Sequence, residues 1–406
     1  MLTAPPTSPQ KPPAASLLWD VFSRVIDNFG DLGVCWRLCA DLAARGHRVR
    51  LWVDDAQGLA WMAPGALQGS WPGIQVLDWA QSTHSQTLAG LPPADVWIEG
   101  FGCEIAPEFI ANQAINTWAT GLNDSNFPVW INLEYLSAES YVERAHALPS
   151  PVMQGPAAGR NKYFFYPGFT DKTGGLLREP GLLEQIKAFD QPTVKAAWLA
   201  QHGIDWRGET LVSMFCYEPA LLPALLAQWA YQKQPTRLLV ASGRASLAVQ
   251  AALEQLKSQE AELACFNGAT VNVLKALSIH YVPALSQVDF DRLLWCCDLN
   301  FVRGEDSLVR ALWAGKPLVW QIYPQDDSAH QIKLEAFLRT LAPPESLAEF
   351  HRAWNANTVD ADAIAALPEL EQAVPTWRPA VQSLRVKLLE MDDLSTQLVR
   401  FVFKKR

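Results

Sequence analysis

Two acidic residues stand four positions apart in a glycine-containing loop near the start of the chain. The loop reads DNFGDLG, from Asp27 through Asp31 to Gly33, and it lies between a predicted buried strand and a helical pattern. Because it has two glycines and no lysine, it matches neither the dinucleotide-binding fingerprint nor the NTP-binding loop. Two carboxylates beside backbone that a ligand can approach suit acid and base chemistry. An alternative is that Asp31 caps the helix and Asp27 begins the turn.

A second polar loop, FVRGEDS, joins a later apolar run to a helix that we predict to run from near Asp306 to Gly315. The amides of that helix start, together with Arg303 and the Ser307 hydroxyl, would bind a diphosphate, and Glu305 would accept hydrogen bonds from ribose hydroxyls. The alternative is an ordinary helix cap with Arg303 in a surface ion pair.

The elements that position these loops alternate between short apolar runs and helical patterns, in two series. This rhythm is typical of parallel sheets covered by helices, so we predict an α/β protein with two Rossmann-like domains facing a central cleft. Ligands of such sheets bind beyond the carboxyl ends of the strands, where both loops lie. The predicted parts are a disordered proline-rich leader (1–16), an acceptor-side domain with the catalytic aspartate (17–190), a donor-binding domain (205–375) and a helical segment that packs back on the first domain (376–406).

A carboxylate loop and an anion-binding helix start that share one cleft favour an enzyme acting on a nucleotide sugar. Arg303 and the helix dipole can stabilise the leaving diphosphate, so we expect neither a metal nor another cofactor. A periplasmic-type binding protein is disfavoured because the N-terminus carries no secretory signal. A regulatory protein that only binds a nucleotide sugar would not need the acids Asp27 and Asp31.

Composition and charge exclude several other classes of protein. A chain of 406 residues with 49% hydrophobic and 18% charged residues is too apolar for a disordered protein. The formal net charge of -9 argues against a general nucleic-acid binder. The seven cysteines include no CxxC pair, which disfavours structural zinc. No apolar run reaches the length of a membrane span, about 18 residues or more, so we expect a cytoplasmic protein that does not bind membranes.

Four segments together resemble one known family, over nearly the whole chain from about Leu17. They are DNFGDLGVCWRL, WINLEYLSAESYV, KYFFYPGFTDKTGGLLRE and NFVRGEDSLVRALWAGKPLVWQIYPQ. The chain resembles the EarP family, the protein-arginine rhamnosyltransferases of bacterial elongation factor P. The resemblance implies a GT-B fold, a dTDP-β-L-rhamnose donor, an arginine of elongation factor P as acceptor, and inversion to α-rhamnosyl-arginine. It also implies support for translation of polyproline stretches. The runner-up is a GT-B transferase that uses another nucleotide sugar or acceptor.

The resemblance also carries site residues onto this sequence. It implies Asp31 as the catalytic aspartate, with Asp27 as its neighbouring acid and Glu305 beside the sugar. The donor-binding residues expected in all are Asn28, Phe29, Gly30, Phe215, Tyr217, Gln287, Arg303, Glu305, Asp306 and Ser307.

One segment departs from the family pattern. Where the family has a phenylalanine three residues before its base-reading glutamine, this chain reads Ala284-Leu285-Ser286-Gln287. Gln287 is therefore carried over, but the stacking aromatic ring is not. Two replacements are open: Tyr281 takes the role, or Phe215 holds the thymine alone.

Overall fold

Two parallel sheets covered by helices make up the protein, in a computed structural model that describes residues 16–26, 29–119, 127–267, 276–324 and 329–406. This confirms the predicted pair of Rossmann-like domains. Asp27, Asn28 and all of the predicted leader except Ser16 lie outside the described residues.

The first sheet is built around a strand that is buried along its whole length. Within the described residues its strands are β1 (Leu18–Ser23), β2 (Arg48–Val53), β3 (Ile74–Asp78), β4 (Val96–Gly100), β5 (Val129–Leu133), β6 (Leu148–Pro151) and β7 (Asn161–Phe165). They lie in the order β3-β2-β1-β4-β5-β7-β6, and all neighbours are parallel except the antiparallel pair of β6 and β7. Because helices cover both faces, β1 is buried on both, and its charged residue Asp20 pairs with Arg50 at 2.6 Å.

Helices connect these strands and cover the sheet. In the described part of the first domain they are α1 (Gly30–Ala44), α2 (Leu59–Met62), a 3-10 helix (Trp79–Thr83), α3 (Ser85–Ala89), α4 (Pro107–Ala119) and α5 (Tyr141–Ala145). The helix predicted after the acidic loop is α1, and it begins earlier than expected, so that Asp31 lies in its first turn. Phe29, and not Asp31, is its N-cap.

The second sheet is parallel throughout. Its described strands are β8 (Thr210–Met214), β9 (Thr236–Val240), β10 (Leu277–Tyr281), β11 (Leu299–Arg303) and β12 (Leu318–Gln321), in the order β10-β9-β8-β11-β12. The helices that follow the first domain are α6 (Leu182–Phe189), α7 (Pro192–Gln201), α8 (Leu222–Ala230), α9 (Arg244–Asn267), α10 (Gln287–Cys296), α11 (Gly304–Ala314), α12 (Ala329–Leu341), α13 (Glu345–Trp354), α14 (Ala361–Ala365), α15 (Leu370–Leu389) and α16 (Leu394–Lys405). As predicted, α11 ends at Gly315, whose φ of 68° suits glycine.

The C-terminal segment is divided between the two domains. The apolar side chains of α15, including Trp377 and Leu384, belong to the core of the second domain. Helix α16 instead buries Leu394, Leu398 and Val402 in the core of the first domain. The part that returns to the first domain is therefore shorter than the expected 376–406, because the apolar face of α15 already has a partner in α11.

Most predicted strands are present, and the differences have local causes. β3 carries only a weak apolar signal in the sequence, because its residues are only partly buried. Among the helices that the structure describes, none has the length and apolar character needed to cross a membrane.

Candidate active site

A cleft lies where the carboxyl ends of the two sheets face each other, as expected for a ligand site of parallel sheets. Its volume is about 390 Å³. The first domain contributes the start of α1 and the short helix α2, and the second domain contributes the loops after β8, β9, β10 and β11. Of the predicted donor residues that the structure describes, all line this cleft: Phe29, Gly30, Phe215, Tyr217, Gln287, Arg303, Glu305, Asp306 and Ser307.

Asp31 lies at the edge of the first domain and is half-buried in the first turn of α1. The hydroxyl of Tyr135 donates a hydrogen bond to its Oδ2 at 3.0 Å. Burial raises the pKa of Asp31 to about 6; the hydrogen bond from Tyr135 opposes that rise and the negative charge of Glu305 adds to it. The carboxylate is thus mostly ionised at neutral pH, yet more basic than that of an exposed aspartate.

Asp31 also forms part of the wall of a second cavity, of about 430 Å³, in the first domain. This cavity lies beyond the ends of β1 and β4, and its other lining residues are Arg24, Ile26, Gly100, Phe101, Gly102, Cys103, Glu104, Ile105, Ala106 and Pro107. Asp31 therefore stands beside a polar space distinct from the donor cleft, and a second substrate can approach it from there.

Glu305 links the second domain to the first. One carboxylate oxygen accepts the backbone N–H of Leu136 at 2.7 Å, and the other accepts the ammonium of Lys333 at 2.6 Å. Leu136 follows β5 in the first domain, whereas Lys333 lies on α12 in the second. The Glu305 carboxylate is thus held by one donor from each domain, and it lies close enough to Asp31 for its charge to act on that acid.

Arg303 lies between two aromatic rings at the end of β11. Its guanidinium carbon is 4.5 Å from the ring centre of Phe215 and 4.6 Å from that of Tyr217. Burial lowers the pKa of Arg303, and its Nη1 is buried without a hydrogen-bond partner among the described residues. A buried cationic donor without an acceptor on the wall of a cleft suits an anionic ligand.

The helix start beside Arg303 is shaped by two local features. Gly304 has a φ of 65°, which favours glycine and allows β11 to turn directly into α11. The Ser307 hydroxyl donates to the carbonyl of Arg303 and accepts its N–H. Ser307 therefore stabilises the helix start. Its hydroxyl, which was expected to bind a diphosphate, already donates its hydrogen to the backbone in this structure.

Asp306 has a partner that sequence reasoning missed. Its carboxylate receives the Arg37 guanidinium of α1 at 2.9 Å, across the boundary between the domains. Arg37 is only 5% exposed and also pairs with Asp291 at 2.9 Å, and Arg310 binds that same carboxylate at 2.6 Å. Burial alone would lower the pKa of Arg37, but Asp291 and Asp306 outweigh it and the pKa is raised. Arg37 thus offsets part of the negative charge of Asp306, because the same guanidinium also pairs with Asp291 and with Glu179, the latter at 3.8 Å. This pairing reduces the repulsion between Asp306 and a nearby anion.

Gln287 begins α10 and spans the cleft in this structure. Its side-chain amide donates to the carbonyl of Gly33 at 2.9 Å, so this amide links the domains. Tyr281 does not line the described cleft. The ring opposite Phe215 belongs to Phe290, one turn after Gln287, with ring centres 5.3 Å apart.

The residues that sequence reasoning missed differ in how visible they were. Tyr135 lies two residues after the apolar run WINL, so the rule that sites lie after strands could have found it. Arg37 and Lys333 lie inside regular helices, where a charged residue ordinarily faces solvent, and nothing in their spacing sets them apart.

Three comparisons with known proteins agree. The family model described as "Elongation-Factor P (EF-P) rhamnosyltransferase EarP" matches residues 19–403. A protein-arginine rhamnosyltransferase of Pseudomonas aeruginosa is 42% identical over 395 residues, covering 94% of this chain and 98% of that protein. The corresponding protein of Neisseria meningitidis serogroup B is 32% identical over 400 residues, covering 95% and 96%.

A solved structure gives the same result. A structure described as the basis for EarP-mediated arginine glycosylation of translation elongation factor EF-P is 29% identical, with a TM-score of 0.58, covering 96% of this chain and 99% of that one. These matches and the two facing sheets establish that the chain has the GT-B fold and belongs to the EarP family of elongation-factor P rhamnosyltransferases.

Proposed function

We propose that this protein transfers L-rhamnose from dTDP-β-L-rhamnose to an arginine side chain of elongation factor P, with inversion to α-rhamnosyl-arginine. Protein-arginine rhamnosyl transfer itself is the activity of the family. The observation that carries the finer proposal is the position of Asp31, a half-buried acid that directly follows the cleft-lining Gly30 and lines a separate polar cavity. The product would support translation of polyproline stretches, and the reaction would take place in the cytoplasm.

The chemistry requires a base, because a protonated guanidinium is a poor nucleophile. Its pKa is roughly 12.5 to 13.8, so it arrives as a cation. Asp31 fixes the planar group by hydrogen bonds and accepts a proton as the nitrogen attacks the anomeric carbon. A nitrogen–carbon bond forms, the bond from carbon to phosphate oxygen breaks, and dTDP leaves from the opposite face. Attack opposite the leaving group inverts the sugar.

Two further acids would stabilise the positive charge of the acceptor and of the transition state. Glu305 is held next to Asp31 and adds negative charge that attracts the cationic acceptor and stabilises positive charge developing on the sugar. Asp27 would serve the same purpose in the family pattern, four residues before Asp31 in the chain. Its location is outside the described residues.

The leaving diphosphate would be stabilised without a metal. The unpaired Nη1 of Arg303 and the amides at the start of α11 supply positive charge and donors at one place. Arg37 pairs with Asp306 and so reduces its repulsion of the anion. The thymine base would lie near Phe215 and Phe290, and the ring of Tyr217 also contacts the Arg303 guanidinium.

The experiment that tests the proposal is incubation of purified elongation factor P with this protein and dTDP-β-L-rhamnose, followed by peptide mapping and NMR of the product. We expect one deoxyhexose on a single arginine, in the α configuration. Retention of configuration would refute the inverting route. Binding of the donor without transfer would assign another acceptor. Transfer only from a different nucleotide sugar would favour the runner-up function. That alternative is specific to this chain, because Ala284 stands where the family has the aromatic ring that stacks on the base.

A further inference from the structure

The loop after β5 contacts both acids of the active site through two consecutive residues. The hydroxyl of Tyr135 donates to Asp31 at 3.0 Å, and the next backbone N–H, that of Leu136, donates to Glu305 at 2.7 Å. Asp31 belongs to the first domain and Glu305 to the second. A short covalent segment therefore spans the distance between two carboxylates that the chain itself separates by hundreds of residues.

We propose that Tyr135 and Leu136 act as a positioning segment that sets the spacing of Asp31 and Glu305, with Lys333 holding Glu305 against it. The inference rests on the proposed roles of the two acids and extends them to residues to which the family resemblance assigned no role. Neither Tyr135 nor Lys333 is required to touch the substrate. Their effect is to determine where each carboxylate points.

The contacts around Tyr135 support a defined geometry. Its ring stacks on Phe101, with ring centres 4.7 Å apart and an interplanar angle of 27°. The ammonium of Lys333 lies 5.9 Å from the ring centre of Tyr135 while it binds Glu305 at 2.6 Å. The ring is thus fixed from two sides, and its hydroxyl occupies one oxygen of Asp31. The other oxygen, Oδ1, has no hydrogen-bond partner among the described residues and can accept a proton that arrives with the acceptor.

The segment also couples the acids to the arrangement of the domains. Tyr135 can reach Asp31 within the first domain alone, but Leu136 reaches Glu305 only while the second domain faces it as here. Both acids are therefore brought together in this arrangement of the domains. A separation of the domains would leave Asp31 with its tyrosine and remove the charge of Glu305.

Substitution of Tyr135 by phenylalanine tests the inference and removes only the hydroxyl. The groups that face Asp31 are Tyr135, Glu305 and Cys35, with Arg24 and Glu104 in the neighbouring cavity. Because the hydrogen bond from Tyr135 lowers the pKa of Asp31, its loss raises that pKa. We expect the acid limb of kcat/KM to move upward from about 6 by about one pH unit. At neutral pH the higher pKa alone should lower kcat about twofold, and loss of the fixed orientation of Asp31 should lower it further, to about tenfold in all, with the donor KM within about twofold of its normal value.

A matched control is available in the same region. Tyr141 is 44% exposed and Tyr135 is 43% exposed, but Tyr141 packs on Tyr166. In the described structure its hydroxyl makes no hydrogen bond to Asp31 or Glu305, and it senses Glu305 only through its charge. Tyr141→Phe should leave the pH profile unchanged. If Tyr135→Phe also leaves both the pH profile and kcat unchanged, the positioning role is refuted. An equal effect of the two substitutions would likewise overturn it.

Lys333 supplies an independent variant. Lys333→Met should lower kcat, and Lys333→Arg should restore most of it, because an arginine can still donate to Glu305. Equal loss of activity in Lys333→Met and Lys333→Arg, with unchanged melting temperatures, would contradict the proposal that the positive charge at position 333 holds Glu305. The proposed function is tested separately by Asp31→Asn. Activity in Asp31→Asn would refute the role of Asp31 as the base. An inactive Asp31→Asn enzyme together with a fully active Tyr135→Phe enzyme would refute only the positioning role of Tyr135.

Discussion

Replacement of Arg37 by methionine should loosen the contact between the two domains. Arg37 is buried on α1 and binds Asp306 and Asp291 of the second domain at 2.9 Å each. Methionine keeps much of the apolar stem and removes the charge. Asp291 would still have Arg310 at 2.6 Å, whereas Asp306 would lose the partner that crosses the domain boundary.

The magnitude follows from the burial of the groups left behind. Removing one partner of a buried ion pair costs about 3–5 kcal/mol, because the remaining charge is desolvated and uncompensated. Asp306 keeps 23% of its side-chain surface exposed, which places the cost near the lower end, about 3 kcal/mol. For domains of this size each kcal/mol lowers the melting temperature by about 2–4 °C, so we expect a drop of roughly 6–12 °C.

The assay is thermal unfolding of the full-length protein, together with donor KM. We expect donor KM to rise in Arg37→Met, since an unpaired Asp306 would repel the diphosphate, and Asp306→Asn in the same chain to recover part of the stability. Arg207→Met is the matched control, because Arg207 and Asp205 form an ion pair at 2.6 Å that is exposed. A melting temperature for Arg37→Met no lower than that of the control would refute this reasoning.

Three further predictions concern the donor and the base. Arg303→Ala should weaken dTDP binding by about tenfold to a hundredfold in calorimetry, since it removes a buried cationic donor from the wall of the cleft; unchanged affinity would exclude the diphosphate role. Activity should survive complete chelation of divalent cations, and loss that only added metal restores would contradict transfer without a metal. The rate kcat/KM should rise with pH through about 6, because Asp31 accepts a proton only when ionised, and a rate that is flat from about pH 5 to 7 would contradict this assignment.

The donor pocket offers one more test, at the position where the chain departs from its family. Ala284→Phe should tighten binding of dTDP if the pocket beside Phe215 and Phe290 has room for another ring. Calorimetry with dTDP and with UDP measures both affinity and base selectivity. Weaker binding of dTDP would show that Phe290 and Phe215 already fill the space around the base.

Local patterns predicted the scaffold well, and contacts between distant segments account for what was missed. The turn from β11 into α11 was visible because strand, glycine and helix start are adjacent in the chain. The partner of Asp306 was not visible, because Arg37 lies 269 residues away and resembles an ordinary charged residue of a helix. Likewise, the sequence indicated Asp31 as an acid, but its raised pKa depends on burial and on the charge of Glu305 in the second domain. The hydrogen bond that opposes this rise comes from Tyr135, 104 residues further along the chain.

The most direct test of the central claim compares wild-type protein with Asp31→Asn by intact-protein mass spectrometry of elongation factor P, with dTDP-β-L-rhamnose supplied to both. The account predicts a gain of one deoxyhexose with the wild type and none with the variant, while both bind the donor and melt at similar temperatures. Transfer by the variant at the wild-type rate would contradict the account, because asparagine cannot accept the proton that the attacking arginine must lose.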